Sequence, residues 1–173
     1  MTPNQRRTAA AGLAASVIAL AGIYNSEGFS PVATIPVPED IPTYGYGSTI
    51  KADGTPVKLG DTITRTEAKA LVASDVNKKF VSNLHKCAGD VPMAQGEFDA
   101  LVDMTYNMGS ATVCNSSIIT KFRAGQYAEG CATILTFDRL HGKHCREPYN
   151  LANVNGCKGI MNRRNYEFKL CTG

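Results

Sequence analysis

Glu27 is the first acidic residue of the chain, and it stands directly behind an uncharged stretch running from Thr8 to Ser26. A carboxylic acid there, followed by Gly28 and Phe29, is placed to donate a proton. An apolar wall from the preceding helix and from Phe29 would favour its protonated form, which suits a general acid near neutral pH. Protonating a leaving oxygen is one half of glycoside hydrolysis. The other half is a second carboxylate that assists water or the developing oxocarbenium charge. Sixteen residues after Glu27 comes the Gly/Tyr-rich block Thr43-Tyr44-Gly45-Tyr46-Gly47-Ser48-Thr49. A lone Glu is weak evidence by itself, and its plainer reading is a surface residue ending a helix.

The element that must position Glu27 is the stretch before it. Arg6 and Arg7 precede the apolar run, the grammar of a secretory signal or a membrane anchor with its N-terminus inside. As one helix, residues 8–26 would span roughly 28 Å, close to a bilayer core. Most of the run is Ala, Gly, Ser and Thr, which gain little from lipid. Leu13, Val17, Leu20 and Tyr24 recur at helical spacing and would also serve as a core-facing stripe in water. The segment therefore reads first as an anchor and then as the opening helix of a soluble fold; the plainer alternative is an Ala-rich helix of a cytosolic protein.

Beyond Glu27, Pro31, Pro36, Pro38 and Pro42 exclude a helix through that stretch. Gly45, Gly47 and the turn Ala52-Asp53-Gly54-Thr55 divide short β-prone pieces, so a small antiparallel sheet is expected over 43–63. Thr64-Arg65-Thr66-Glu67 reads as a capping box opening a helix to about Lys86. Further helices are expected over 94–108, from Asn115 or Ser116 to Arg123, over Gln126–Phe137 and over Gly159–Leu170. One small sheet near the N-terminus followed by many helices makes the fold class α+β.

The 173 residues suffice for one domain with a real core. With 43% hydrophobic and 19% charged residues, global disorder is excluded, and the formal charge of +3 is mild. No Lys/Arg run with interleaved aromatics suggests a nucleic-acid partner. The six cysteines form no C-x-x-C pair, and His85, His141 and His144 complete no familiar zinc spacing, so neither metal nor cofactor is expected. Oxidised pairs in a periplasm-like compartment fit better. Of fifteen possible connectivities, the one adopted joins Cys87 with Cys114, Cys145 with Cys157, and Cys131 with Cys171. The second of these would close the polar loop 146–156, otherwise too long to stay ordered.

Taken together, the motifs resemble the phage-lysozyme (muramidase) endolysins over nearly everything after Tyr24. Glu27-Gly28-Phe29 and Thr43 to Thr49 are similar to that family's active-site block, and Gln95 to Val102 with Tyr106-Asn107-Met108-Gly109 to its central helix. Gly159 to Glu167 is similar to its closing helix, where Arg163 and Arg164 precede a glutamate. Each piece is modestly specific; their order and spacing are more so. The resemblance implies a lysozyme-like fold, Glu27 as general acid, and Thr43 as the threonine whose hydroxyl holds the nucleophilic or water-positioning apparatus.

The second carboxylate departs from the family pattern. The usual Asp lies a short distance before the threonine, but here Thr34 to Asp40 carries one extra residue between Glu27 and Thr43, and Pro36 falls near the expected place. Asp40 is the best replacement and Glu39 the second; the plainer reading of Asp40 is a solvated turn residue. Arg163 and Arg164 are expected to pair with acidic side chains rather than touch substrate. Asn107 is expected to support fold or cleft by hydrogen bonding, and His141 and His144 to be solvated. Tyr44 and Tyr46 fit a sugar subsite and β-sheet packing equally well.

Some endolysins of this family carry an N-terminal signal-arrest-release segment, and residues 1–26 resemble one, leaving 27–173 as a single catalytic domain. The implied course is export across the host inner membrane, tethering through residues 8–26, then release to the periplasm, where the segment refolds to position Glu27. With no cysteine in residues 1–26 or 27–49, activation by refolding without disulfide exchange is expected. The implied activity is hydrolysis of the β-1,4 bond between N-acetylmuramic acid and N-acetylglucosamine by a monomer, with peptidoglycan glycan strands as partner and host lysis as outcome. The alternatives are a lytic transglycosylase, which operates with one acid, and a non-catalytic wall-binding protein.

Overall fold

The computed structural model describes residues 6–37 and 39–173. Residues 1–5 of the N-terminal segment, and Pro38 among the punctuating prolines, lie outside them.

The Ala-rich stretch is helical only in its second half. Thr8–Ala9 (β1) pairs antiparallel with Pro92–Met93, Ala10–Gly12 makes one tight turn, and helix α1 spans Val17–Glu27. Two sets of bonds prevent a continuous helix from Thr8. Ala10 and Ala11 donate their N–H groups to Val91 and Gly89 carbonyls, which fixes the first half as non-helical chain. The buried Asp99 then takes both the Ser16 N–H (3.1 Å) and the Ser16 hydroxyl (2.5 Å). Ser16 Oγ in turn accepts the N–H groups of Ile18 and Ala19, so the helix starts where its orphan donors find a cap.

The buried face of α1 also differs from expectation. Ala19, Gly22 and Ile23 are buried, Leu13, Leu20 and Tyr24 only partly so, and Val17 is 81% exposed. The reason lies at Gly22: a side chain there would overlap the Tyr166 ring, whose hydroxyl donates to the Ile18 carbonyl at 3.1 Å. Small residues therefore face the C-terminal helix, and the larger ones flank them.

Strand β2 (Ser30–Thr34) pairs antiparallel with β3 (Thr43–Gly45), Ser30 opposite Gly45 and Thr34 opposite Thr43, with an irregularity between. The sheet thus begins earlier than residue 43 and includes Pro31, whose carbonyl accepts the Ile63 N–H while Ala33 donates to the Asp61 carbonyl. The turn at 52–55 forms as expected, with Asp53 Oδ1 accepting the Thr55 N–H and hydroxyl.

The Thr64 capping box is formed, its side chain accepting from the Glu67 N–H while Glu67 accepts from the Thr64 N–H. The helix it opens runs as α2 (Arg65–Asp75), widens into a π-helical stretch over Val76–Val81, and resumes as α3 (Ser82–Ala88). After β4 (Pro92–Met93) comes α4 (Gln95–Met108), which buries Phe98, Leu101, Val102 and Met104 together with Glu97, Asp99 and Asp103. A helix buried on every side is the axis of the molecule, and each buried carboxylate on it has a partner reaching in from another element. Arg7 reaches Glu97 at 2.6 Å with its guanidinium over the Tyr127 ring, so the positive flank of the N-terminal segment is also a structural ion pair.

Short helices α5 (Ser110–Cys114), α6 (Ser117–Arg123) and α7 (Tyr127–Ile134) follow, the last ending three residues before Phe137. A hairpin of β5 (Arg139–Leu140) and β6 (Lys143–His144) and helix α8 (Pro148–Asn153) occupy the region expected as loop. Pro148 opens α8 where a missing N–H costs nothing. His144 is not simply solvated: its Nδ1 lies 2.9 Å from Asp138 Oδ1. Burial alone would raise Asp138, but the hydrogen bonds from Arg146 and His144 hold it well below the usual carboxylate range. Helix α9 (Cys157–Thr172) closes the chain.

All three expected disulfides form. Cys87–Cys114 ties α3 to α5, Cys131–Cys171 ties α7 to α9, and Cys145–Cys157 anchors the hairpin region to the start of α9. Loop-closure entropy puts the contribution of each at about 3–4 kcal/mol.

Candidate active site

Glu27 is the last residue of α1, and Gly28, at φ 66°, turns the chain out of the helix and into β2. A side chain at that φ is strained, so the glycine fixes the sharp exit that leaves the Glu27 side chain at the surface of a cleft. Tyr24, Phe29 and Tyr46 pack beneath it, with ring centroids 5.0 Å apart for Tyr24–Tyr46 and 5.5 Å for Phe29–Tyr46. The Tyr46 carbonyl accepts the Tyr106 hydroxyl at 3.1 Å, and the Tyr106 ring lies tilted against Phe80, centroids 5.3 Å apart. Burial, with the Glu27 charge nearby, pushes the Tyr106 phenol up to about 12, so it remains a neutral donor.

Glu27, Tyr46, Ser48, Thr49, Asp75 and Tyr106 line one cavity of 330 Å³. A second hollow of 460 Å³ is lined by Asn25, Ser26, Asn107, Asn162, Tyr166 and Arg163, the last of which bonds Glu27 of the first. The π-helical stretch supplies Lys79 and Phe80 to the first, and Lys79 pairs with Asp75 at 3.1 Å. Among the described residues no cluster of His, Cys, Asp and Glu is placed to hold a metal ion.

The carboxylate of Glu27 does not face the expected apolar wall. Its Oε1 accepts Arg163 Nη1 at 2.7 Å, from α9, whose Tyr166 also packs against α1 at Gly22 and Ile18. Arg163 is held in turn by Asp103, Nε to Oδ2 at 3.0 Å and Nη2 to Oδ1 at 3.2 Å. Glu27 Oε2 has no hydrogen-bond partner among the described residues. Arg163 and Arg164 thus pair with acidic side chains as expected, and Asn107 Oδ1 accepts Arg164 Nη2 at 2.6 Å.

The other two sequence candidates lie apart from this cavity. Thr43 is half-buried on β3 opposite Thr34, and the part of its block that lines the cavity with Glu27 begins at Tyr46. Asp40 is exposed, its Oδ1 accepting the Ile41 N–H at 2.8 Å, and Glu39 is exposed with φ 69°. Neither acid lines the cavity. Tyr44 is 4% and Tyr46 2% exposed, so packing accounts for both, and Tyr46 also forms part of the cavity wall. Asp75, Asp103 and Tyr106 were not singled out for a role from sequence. Asp103 had a visible signal: an acid repeating Asp99 one helical turn on, inside an otherwise apolar run.

Behind Arg163, Glu167 and Arg164 are buried together. Arg164 Nη2 stands 2.9 Å from Glu167 Oε1 but outside hydrogen-bond geometry. Burial pushes Glu167 up to about 9, the Asp103 carboxylate adding to the effect and Arg164 opposing it. A folded value raised above the unfolded one contributes stability that is complete below pH about 4 and is lost as pH climbs. Glu167→Gln mimics the neutral acid without titrating. Urea unfolding should therefore show wild type losing stability relative to Glu167→Gln by roughly 1 kcal/mol per pH unit between pH 5 and 8; parallel curves would contradict the assignment.

Residues 24–167 match the Phage lysozyme family model. The chain is 30% identical to the SAR-endolysin of Pseudomonas phage phiKMV, over 91% of this chain and 88% of that protein. It is 25% identical to the SAR-endolysin of Enterobacteria phage P21, over 99% and 97%. Among solved structures, the endolysin from Escherichia coli O157:H7 phage FAHEc1 superposes with a TM-score of 0.73 at 32% identity, covering 92% of this chain and 94% of that one.

Proposed function

The chain belongs to the phage lysozyme family, and on that premise we propose that it hydrolyses the β-1,4 bond between N-acetylmuramic acid and N-acetylglucosamine, lysing peptidoglycan with Glu27 as the proton donor. The observation that carries this reading is the Glu27 carboxyl at the cleft wall, with Oε1 held by Arg163 and Oε2 left to the cavity. An acid fixed through one oxygen presents the other to a leaving glycosidic oxygen in a defined direction. Asp40 is the proposed second carboxylate, Glu39 its substitute, and Thr43 the hydroxyl that holds the attacking water.

Because Asp40 does not line the Glu27 cavity, a second reading stands beside the first: a lytic transglycosylase, in which the N-acetylmuramic acid C6 hydroxyl replaces water. A non-catalytic wall-binding protein would bind sacculi and release nothing. Release of labelled fragments from purified sacculi separates the enzyme readings from this last one. Asp40→Asn should lower the release rate at least about tenfold; full activity in that variant removes Asp40 from the mechanism and turns attention to Glu39.

Residues 1–26 are proposed as a signal-arrest-release segment of a monomeric enzyme, tethered at the host inner membrane and then freed to the periplasm, with 27–173 as the catalytic domain. The SAR-endolysin relatives support this. Among the described residues no helix is long and apolar enough to cross a membrane, and α1 has 11 residues. The described part of the segment is instead built into the fold through Arg7–Glu97, the β1 pairing and Ser16–Asp99, which is the arrangement a released form requires. Its lack of cysteine supports activation by refolding alone.

A further inference from the structure

Arg163 hydrogen-bonds two carboxylates of unlike surroundings, with a third, Glu167, 3.8 Å from its Nε. Asp103, from α4, has a side chain with no exposure, and it accepts two hydrogen bonds along one edge of the guanidinium. Glu27, from α1, is 29% exposed in its side chain and accepts one bond from the remaining Nη1. The Arg163 side chain itself is 10% exposed. The two-point contact to Asp103 fixes the plane of Arg163, and that plane fixes where Nη1 meets Glu27.

Charge follows the same order. Asp103 has no access to water, so its charge depends on Arg163, whereas Glu27 faces a solvated cleft. Glu167 abuts Asp103 from α9; burial pushes it up, and Arg164, 2.9 Å away, opposes that rise. The other titratable groups around Arg163 are Tyr106 of α4, and Arg164 and Tyr166 of α9. Tyr106 is held neutral, and Arg164 is occupied by Asn107 and Glu167.

We propose that Asp103 is a positioning residue for the glycosidic step, holding and neutralising Arg163 so that the guanidinium orients Glu27 without committing its whole charge to it. This rests on the reading of Glu27 as the general acid. Removing the Asp103 charge leaves the full positive charge of Arg163 facing Glu27. An opposite charge at hydrogen-bond distance favours the carboxylate over the acid. The form that donates a proton is then depleted at a lower pH than in wild type.

The test compares wild type with Asp103→Asn, which keeps an acceptor for Arg163 and loses the charge. On soluble peptidoglycan fragments across pH, kcat should fall about tenfold at neutral pH with KM within about twofold, and the alkaline limb of kcat/KM should move down by roughly one pH unit. Carbon NMR of the Glu27 carboxyl should show the same downward movement without any substrate. An equal fall in kcat at every pH, with an unmoved limb and an unmoved Glu27 titration, makes Asp103 merely structural and overturns the proposal. Should Asp103→Asn lose its far-UV circular dichroism, Asp103→Ser, which accepts one hydrogen bond and leaves room for water, carries the same expectation. Failure of both to fold also overturns it. Wild type that releases no fragments refutes the enzyme reading, while the NMR comparison still decides the coupling of Asp103 to Glu27.

Discussion

Glu27→Gln should reduce fragment release from sacculi by about two to four orders of magnitude, the span attributed to a positioned general acid. The loss should fall on kcat, because the amide keeps the size of the side chain and an acceptor for Arg163 Nη1 while losing the transferable proton. Stability should stay within about 1 kcal/mol of wild type, since the Glu27 side chain is 29% exposed and its ion pair is partly screened. The measurement is a rate on labelled sacculi beside a thermal melt. An inactive variant that melts far below wild type would point to the fold; an active one would remove Glu27 from the chemistry.

The second large effect concerns stability. Arg163→Met should cost about 3–5 kcal/mol, because it strands the Asp103 carboxylate inside the protein with no cation to meet it. Chemical denaturation is the direct measurement. The double variant Arg163→Met with Asp103→Leu should recover much of that loss, since the buried charge is gone, yet recover no activity, since Glu27 has lost its guide. Equal stability of the single variant and wild type would mean that Asp103 does not depend on Arg163, and the ordering of charge described for this site would fall with it.

The difference between these two variants mirrors what was legible in the sequence. Glu27 stands out as a candidate because its signals are local: an apolar stretch in front, a glycine behind, and a Gly/Tyr-rich block a short way on. The Thr64 capping box and the helix over 94–108 were legible for the same reason, each being written within a few consecutive residues. The partners of Glu27 were not. Arg163 lies 136 residues from Glu27 and 60 from Asp103, so only the crossing of α1, α4 and α9 brings the three together. Periodicity reports which face of a helix is buried; it does not report which buried acid meets which arginine.

The N-terminal stretch shows the opposite failure. Its Ala-rich composition suits a helix from Thr8 onward, and local propensity alone would extend it that far. Tertiary bonds decide otherwise, because pairing with Pro92–Met93 holds Thr8–Ala9 extended and the Asp99 carboxylate claims the Ser16 N–H that a continuous helix would give to the Gly12 carbonyl. Helix α8 and the β5–β6 hairpin were hidden by short, polar sequences whose order depends on Asp138 and on the Cys145–Cys157 bond. The disulfide was foreseen, but not the structure it holds.

The most direct test of the central claim, that Glu27 protonates a glycosidic oxygen and water completes the cleavage, is digestion of purified sacculi in oxygen-18 water. Wild type should yield fragments ending in reducing N-acetylmuramic acid with one heavy oxygen at the new end, and Glu27→Gln should yield almost none. Fragments ending in unlabelled anhydro-N-acetylmuramic acid would contradict hydrolysis and establish the transglycosylase reading in its place.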